Sequence, residues 1–274
     1  KYLSDGIYCN NFEELDLSKI SSYIYVLEFG KLVGEITSAR MKKLIIGGEK
    51  SAKPVSSLSG LGVLTNLEYL DLTGIDYPNI DISNLLLLKT LKLTDSTINT
   101  LTLPEGGMIE ELYLTDALKH IECNGLQNLT LENMHGFDEY HISSIKIVNS
   151  PNLTNDFGYY YRWIQSVKSG DSLDLSGIQW KDINPSNLIE FGKVKEVGGK
   201  LSLKGKIEIA NPTIEEVEEL QSIFGENCFT NNSELWISAP ESVFIHGPKE
   251  VRSGDSAVYD VTIFSESPGT VEWQ

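Results

Sequence analysis

The sequence predicts an α/β solenoid, in which short parallel strands stack around one apolar interior. The first observation is a leucine pattern, because residues 61–98 contain two copies of the spacing LxxLxxLxL. The second is its period, since 21 residues separate Leu70 from Leu91 and the same step reaches Leu112. A fixed apolar period of about 20 residues is typical of stacked repeats. We therefore expect successive units to share one core.

The alternation of side chains along a short strand explains this pattern. Leu70 and Leu72 face one side of a strand, and the residue between them faces the other. One unit is too small to bury its leucines alone, whereas stacked units form a continuous core and leave the intervening residues exposed. We expect a domain of leucine-rich repeats over residues 1–239, with residues 1–40 as an N-terminal cap and residues 205–239 as a C-terminal closing segment.

Paired aliphatic residues predict a parallel sheet of about eight short strands. The connections in the middle are too short for a helix, whereas those near the end have room for one. We therefore expect extended or turn-like connections in the middle and helices near the end. Residues 235–237 are expected to form a final strand. The first members of the expected pairs are Leu44, Leu70, Leu91, Leu112, Leu129, Ile145, Leu173 and Leu201.

Local signals favour helices at four places. Residues 12–17 favour a helical turn within the cap. Residues 159–167 have apolar side chains at near-helical spacing, which fits an aromatic platform for a sugar or peptide, or a helix packed on the solenoid; packing is the commoner role. Residues 184–185 are typical of a helix start. Residues 213–216 form a capping box, and the helix after it is expected to end at Gly225.

The sequence changes character in residues 240–274. Residues 243–245, 257–264 and 270–273 alternate apolar and polar side chains between turns rich in Gly, Pro and Ser. This order is typical of the first strands of an Ig-like sandwich, a complete copy of which needs about 100 residues. We therefore expect a partial all-β Ig-like domain. Unpaired strand edges there could pair with a second chain.

Composition argues against two classes of partner. The formal net charge is −17, and such a surface repels phosphate backbones. No run approaches the roughly 18 apolar residues of a membrane span. We expect neither nucleic-acid binding nor membrane insertion. Because the chain starts at Lys1, we expect it to be a mature or trimmed form.

The cysteines indicate neither a disulfide framework nor a metal site. Cys9, Cys123 and Cys228 are odd in number and far apart, which favours small buried side chains. His120 and Cys123 are spaced as metal ligands can be, but no second pair lies nearby in the sequence, and zinc needs three or four ligands. We expect no metal and no cofactor.

One short stretch of the sequence matches a catalytic motif. Residues 170–173 spell the GDSL motif of a hydrolase family, and residues 138–141 spell the DxxH that accompanies it. In that family the histidine follows the serine, whereas His141 here precedes Ser172. A short match without its context is only a hypothesis, and position 173 is also an inward leucine of a repeat. We expect no enzyme activity.

The candidate binding residues flank the inward leucines. They combine aromatic, charged and hydroxyl side chains, which suit recognition by stacking and hydrogen bonds. A solvated sheet face would use similar residues, because threonines on neighbouring strands favour a ladder. Tyr69 and Tyr113 are the first choice for contact, at an expected separation of about 10 Å across two strands. The candidate residues are Tyr69, Asp71, Lys92, Tyr113, Lys146 and Asp174.

Together these segments resemble leucine-rich repeat surface proteins of gut bacteria, especially relatives of Bacteroides and Clostridium that carry bacterial Ig-like domains after the repeats. The resemblance implies secretion, anchoring at the cell surface and a role in adhesion. The chain departs from the family's LxxLxLxxN pattern, because Ser96 and Ala117 are among the residues at the asparagine position. The residues that carry the resemblance are 64–93, 211–225, 235–240, Gly247, Pro248, Gly254, Tyr259 and Trp273.

Three functional hypotheses follow from the sequence. The first is a non-enzymatic, extracellular or cell-surface module that recognises a protein or glycan through the concave repeat face. The second is a structural spacer or targeting region of a larger surface protein or secreted enzyme. The third is an esterase that uses Ser172. The presence of a catalytic domain elsewhere in the full protein would favour the second.

Overall fold

A computed structural model describes residues 13–18, 40–48, 53–54, 58, 60–136, 142–153, 160, 163–231, 233–239, 242–246 and 260–264. Cys9, His141 and Trp273 lie outside these ranges. Within them, short strands are the main regular element. In chain order they are β1 (Glu14–Asp16), β2 (Lys43–Ile45), β3 (Lys53–Pro54), β4 (Tyr69–Asp71), β5 (Ile75–Asp76), β6 (Thr90–Lys92), β7 (Thr100–Thr102), β8 (Glu111–Tyr113), β9 (His120–Asn124), β10 (Met134–His135), β11 (Ser144–Val148), β12 (Ser172–Ile183), β13 (Lys200–Ile209), β14 (Leu235–Ser238), β15 (Ser242–His246) and β16 (Asp260–Phe264). The α-helices whose bounds fall within these ranges are α1 (Pro185–Lys193) and α2 (Ile214–Phe224).

The first sheet contains the leucine repeat. Its strands run in the order β1-β2-β4-β6-β8-β10, and each neighbouring pair is parallel. The central residues of the strands are aligned and face inward, because side chains alternate between the two faces of a strand. This register confirms the 21-residue repeat. The aligned inward residues are Leu15, Leu44, Leu70, Leu91, Leu112 and Met134.

A second parallel sheet completes the solenoid, in the order β7-β9-β11-β12-β13-β14. Leu101, Ile121, Ile145, Leu173 and Leu201 are aligned across it. Between residues 90 and 148 each coil, meaning one turn of the solenoid, contributes one strand to each sheet. The inward residues of both sheets pack in one apolar cluster, so the two sheets enclose a single core.

The prediction of one sheet of about eight strands is therefore corrected. Ile145, Leu173 and Leu201 continue the second sheet, not the first. Leu129 and Leu131 are not in a strand, although both are buried, and β10 supplies the strand beside β8 instead. The L-x-L pattern does not distinguish a strand from a turn, because turn residues that face the core can also be leucine. The helical turn expected at residues 12–17 is also wrong, since β1 lies there.

The connections follow the prediction. The middle coils return through extended or turn-like segments, whereas α1 joins β12 to β13 and α2 lies between β13 and β14. Asn184 caps α1 by accepting a hydrogen bond from Ser186 N at 2.9 Å. Thr213 begins α2 with the predicted capping box, and the helix ends before Gly225. Residues 235–237 lie in β14, as expected.

The aromatic stretch packs into the core. Tyr160 is 1% exposed and Trp163 is 0% exposed. The Trp163 Nε1–H donates to Ile142 O at 2.9 Å, and the Tyr160 hydroxyl donates to Leu153 O. The interpretation as a packed segment is therefore confirmed, and an aromatic platform open to a ligand is wrong for these two side chains.

Some serine and threonine hydroxyls satisfy backbone groups of neighbouring coils. The Ser150 hydroxyl donates to Val148 O at 3.0 Å and accepts from Leu126 N at 3.0 Å. The Thr115 hydroxyl donates to Ser96 O at 2.6 Å. Neighbouring coils are thus joined by individual hydroxyl groups instead of a regular asparagine ladder.

The segment after the solenoid contains an antiparallel pair, β15 with β16. Their positions agree with two of the three strands expected there. The third expected strand lies outside the described residues, so the Ig-like domain stays a prediction.

Candidate binding face

The exposed face of the first sheet brings four of the six candidate residues together. Tyr69 and Asp71 are in β4, Lys92 is in β6 and Tyr113 is in β8. Asp71, Lys92 and Tyr113 are aligned across the strands, whereas Tyr69 is aligned with Thr90. The two tyrosines are therefore placed diagonally, with Lys92 between them.

A continuous set of cationic and aromatic side chains crosses this face. We call Lys43, Tyr69, Lys92, Tyr113 and His135 the cation–aromatic row. The Nζ atoms of Lys43 and Lys92 each lie 5.6 Å from the centroid of the Tyr69 ring. Lys92 Nζ lies 4.9 Å from the Tyr113 centroid, and the rings of Tyr113 and His135 stack with centroids 4.4 Å apart. Cations within about 6 Å of a ring centroid are attracted to the ring.

Lys92 is the centre of this row. A hydrogen bond with Tyr69 raises the pKa of Lys92, and the nearby charge of Asp71 acts in the same direction, while partial burial opposes both. The ammonium group therefore remains charged at neutral pH. The Tyr69 hydroxyl donates to Asp71 Oδ2 at 3.4 Å, so the acid, the ring and the ammonium are held as one group.

An ion pair and a histidine–carboxylate contact lie beside the rings. Lys89 Nζ is 2.8 Å from Glu68 Oε2, and the hydrogen bond from Lys89 holds the pKa of Glu68 below its usual value. His135 Nε2 is 3.0 Å from Glu111 Oε2. Both signs of charge are thus present beside the rings, which favours ligands that combine stacking with hydrogen bonds.

The remaining two candidates, Lys146 and Asp174, lie on the second sheet. They are aligned with each other, and Glu122 occupies the same row one strand further along. Lys146 Nζ contacts Glu122 Oε1 at 2.5 Å, and this hydrogen bond raises the pKa of Lys146. Asp174 accepts a hydrogen bond from the Ser176 hydroxyl at 2.8 Å. The six candidates therefore do not form one site.

A cleft of about 450 Å³ opens at the carboxyl ends of β6, β8 and β10. We call it the carboxyl-end cleft. Tyr113 and His135 contribute to it from the cation–aromatic row, and the turns after β6 and β8 contribute the rest. Its volume falls within the range of about 300–1,000 Å³ that is common for small-molecule sites.

The turns that line this cleft repeat a threonine–aspartate pair, of which the sequence reasoning identified the threonines but missed the aspartates. The pairs are Thr94-Asp95 and Thr115-Asp116, at the same step of 21 residues as the leucines. Because the coils are in register, the pairs lie side by side. Searching the repeat for polar residues shared by successive coils would have found them.

The polar groups of the cleft differ in exposure and in whether they have a hydrogen-bond partner within the chain. Asp95 and Asp116 are exposed. The hydroxyl of Thr115 is 2.6 Å from Ser96 O, to which it donates, so it fixes one turn against the next. Ser96 is 4% exposed, and its hydroxyl has no hydrogen-bond partner among the described residues.

Two other sequence signals, Ser172 and Cys123, lie in strands of the second sheet. The Ser172 hydroxyl donates to Ser144 Oγ at 2.8 Å, and Leu173 beside it is buried in the core. Cys123 is buried, and burial raises the pKa of its thiol to about 12. No group of three His, Cys, Asp or Glu side chains that could hold a metal is present in the described part of the chain.

Comparison with known proteins shows a distant likeness to a solved structure. No protein-family model matches the chain, and no curated protein matches it. Among solved structures, the chain is similar to the functional domain of InlJ from Listeria monocytogenes, which includes a cysteine ladder; identity is 13%, with 89% of this chain and 52% of that chain covered. The chain thus spans about half the length of that protein. The TM-score is 0.25, which is too low to support an inference.

No helix in the described ranges has the length and apolar character needed to cross a membrane.

Proposed function

We propose that the chain is a non-enzymatic recognition module that binds a protein or glycan through the exposed face of the first sheet. The observation that supports this proposal most is the cation–aromatic row, in which three ring-bearing side chains and two lysines are in contact on one face. Aromatic residues are enriched among the side chains that contribute most to binding energy.

The backbone beneath the row favours this role. Tyr69, Lys92 and Tyr113 project from three hydrogen-bonded parallel strands, and the inward residues of those strands are fully buried. Side chains held on a rigid sheet lose less conformational freedom on binding than side chains on a loop. The row is therefore organised before a ligand arrives.

An extracellular or cell-surface location is part of the proposal. It rests on the sequence resemblance described above. The net charge of −17 favours protein or glycan partners over nucleic acid and anionic membranes, because like charges repel. Lys146 and Asp174 stay predicted contact residues, but they lie on the second sheet, outside the surface proposed here.

A structural spacer within a larger protein is the second candidate. One observation favours it: the Tyr113 ring already contacts Lys92 and stacks on His135 within the chain. In that case the row would serve to join neighbouring coils, and its exposure would have no functional consequence.

Binding to arrays of glycans and extracellular proteins would decide between these candidates. Tyr69→Ala and Lys92→Ala should each weaken binding about tenfold or more, as expected when a central contact is removed. Lys206→Ala is the matched control, because Lys206 Nζ lies 4.5 Å from the Trp236 centroid on the second sheet. This variant should bind like the wild type.

Circular dichroism of each variant would verify that the fold is retained. Full binding by both first-sheet variants would overturn the recognition proposal in favour of the spacer. An equal loss in the Lys206 variant would also contradict it, because the binding surface would then not be limited to the first sheet.

A further inference from the structure

We propose that the uncovered edge of β13 binds an extended segment of another protein, one that alternates apolar and acidic residues and adds a strand to the second sheet. This site is separate from the cation–aromatic row, so it goes beyond the function proposed above and either one can fail without the other. Four observations support it, namely an open strand edge, a cavity along that edge, a half-buried inward leucine, and lysines on the outward side of the strand.

β14 covers only part of β13. The two strands pair over residues 205–208, whereas β13 begins at Lys200. Residues 201–204 therefore have β12 on one side and no strand of the described chain on the other. An uncovered strand edge presents unpaired N–H and C=O groups, which are a template for pairing with another chain.

The hydrogen bonds at both ends of this stretch show which backbone groups face the open side. Lys200 N donates towards β12, to Asp171 O at 2.8 Å. Gly205 N donates to the opposite side, to the carbonyl oxygen of the residue before β14 at 2.7 Å. Successive residues of a strand direct their backbone groups to alternate edges. The N–H and C=O groups of Leu201 and Leu203 therefore face the same side as those of Gly205, where β14 does not reach.

A cavity of about 450 Å³ lies along this edge, and we call it the β13 groove. One wall is formed by the consecutive residues 201–204, and the facing wall by residues 224–228 and 233–235. A cavity over the face of a sheet contacts alternate residues of a strand, so contact with four in succession indicates that the groove lies beside the strand. Four residues of a strand span about 13 Å, which is long enough to pair with a short extended peptide.

Leu201 shows that an inward contact is missing at this edge. The aligned inward residues Leu173 and Ile145 are each 1% exposed, whereas Leu201 is only half-buried. Half-buried Phe224 and buried Leu235 also line the groove. An apolar side chain on the inward side of an added strand would remove more of this surface from water, which favours binding.

The outward side of β13 favours acidic residues in the added strand. Lys200 and Lys204 are both exposed there. Lys204 Nζ lies 3.2 Å from Glu234 Oε2, but that glutamate side chain is 78% exposed and free to move aside. Although the whole chain is acidic, residues 193–206 contain five lysines and one glutamate. Opposite charges on neighbouring strands favour pairing and like charges oppose it.

Lysines at an uncovered edge also have a protective role, because charged side chains discourage pairing with other chains. The two roles lead to different expectations. A protected edge binds no strand, whereas a binding edge accepts a strand whose charges are opposite to those of the lysines.

Fluorescence anisotropy with two labelled decapeptides separates these roles. Both peptides have valine at alternate positions, and the intervening residues are glutamate in one and lysine in the other. The glutamate peptide should bind at least about tenfold more tightly, because two or more cross-strand charge pairs change sign. No binding of the glutamate peptide, or tighter binding of the lysine peptide, would overturn the proposal.

Two N-methylated forms of the glutamate peptide distinguish strand addition from simple charge attraction. One form is methylated at every valine nitrogen and the other at every glutamate nitrogen. Because alternate residues direct their N–H groups to opposite edges, only one form keeps the N–H groups that pair with β13. That form should bind at least about tenfold more tightly than the other, which loses two or more hydrogen bonds. Equal affinities would contradict strand addition.

Lys204→Glu should weaken binding of the glutamate peptide about fivefold and strengthen binding of the lysine peptide, because an attractive cross-strand pair becomes repulsive. Lys181→Glu is the matched control. Lys181 is exposed on β12 of the same sheet and does not line the groove. This variant carries the same change of charge and should bind within about twofold of the wild type. Equal losses in both variants would mean that net charge alone governs binding, which would overturn the site.

Leu201→Pro blocks the edge directly, because it removes an N–H group that faces the groove. Proline is tolerated on an edge strand where no partner needs the N–H, and circular dichroism would verify the fold. Binding of the glutamate peptide should fall about tenfold or more, and full binding would refute the site. If this variant does not fold, the Lys204 and Lys181 variants still decide the question. Self-association of the wild-type chain that disappears in a folded Leu201→Pro variant would assign the edge to a second copy of the chain and overturn the choice of partner.

Discussion

Replacing Leu91 by alanine tests whether the inward leucines of the first sheet form a packed core. Leu91 is 0% exposed, as are Leu70 and Leu112, which are aligned with it on the strands to either side. Replacement of a buried leucine by alanine costs about 2–5 kcal/mol, and more when the cavity cannot collapse. Because hydrogen-bonded strands hold both neighbours in place, we expect a loss of about 3–5 kcal/mol in the free energy of unfolding.

Urea unfolding followed by far-UV circular dichroism would measure this loss. Leu86→Ala is the control, because Leu86 lies in the same coil and is 49% exposed. Its truncation should cost less than about 1 kcal/mol, since little apolar area is removed from the interior. A cost below about 1 kcal/mol for Leu91→Ala, or equal costs for the two variants, would refute the packed leucine core of the first sheet.

Three further predictions concern other parts of the molecule. Thr213→Ala should lower the free energy of unfolding by about 1 kcal/mol through loss of the helix cap, and an unchanged urea midpoint would contradict the observed capping box. Cys123 and Cys228 should resist alkylation at pH 8 until urea is added, because burial raises their thiol pKa values to about 12 and about 11. Rapid labelling of either of these two residues in the native chain, located by peptide mass spectrometry, would disprove this. In an NMR titration the pKa of Glu68 should lie below the usual glutamate value of 4.5, and Lys89→Met should move the titration midpoint upward. Because the folded pKa is lowered, the contribution of the Glu68–Lys89 pair to stability is present above about pH 4.5. It is lost as the pH falls through the folded pKa.

The sequence predicts much of the first sheet because its coils obey a fixed period. The 21-residue step gives the correct register for Leu70, Leu91 and Leu112. It does not reveal the second sheet, since the coil lengths there differ and the inward residues include Ile121 and Cys123. A pattern based on leucine alone overlooks strands whose inward residues are of other types.

The binding face could be predicted only in part for a related reason. Alternation identifies Tyr69, Lys92 and Tyr113 as exposed residues, but contact between them depends on side-chain conformations that one strand does not define. His135 was missed because the expected strand lay at residues 129–131, whereas the structure places it at β10. The local pattern does not give the register between coils, which determines which side chains on neighbouring strands meet.

The most direct test of the account is hydrogen–deuterium exchange of the chain with and without its strongest ligand from the arrays. If the exposed face of the first sheet is the recognition surface, binding should slow exchange in residues 90–96, 111–117 and 134–136. Protection confined to residues 172–209 or to α2, with no change in the first sheet, would contradict the central claim.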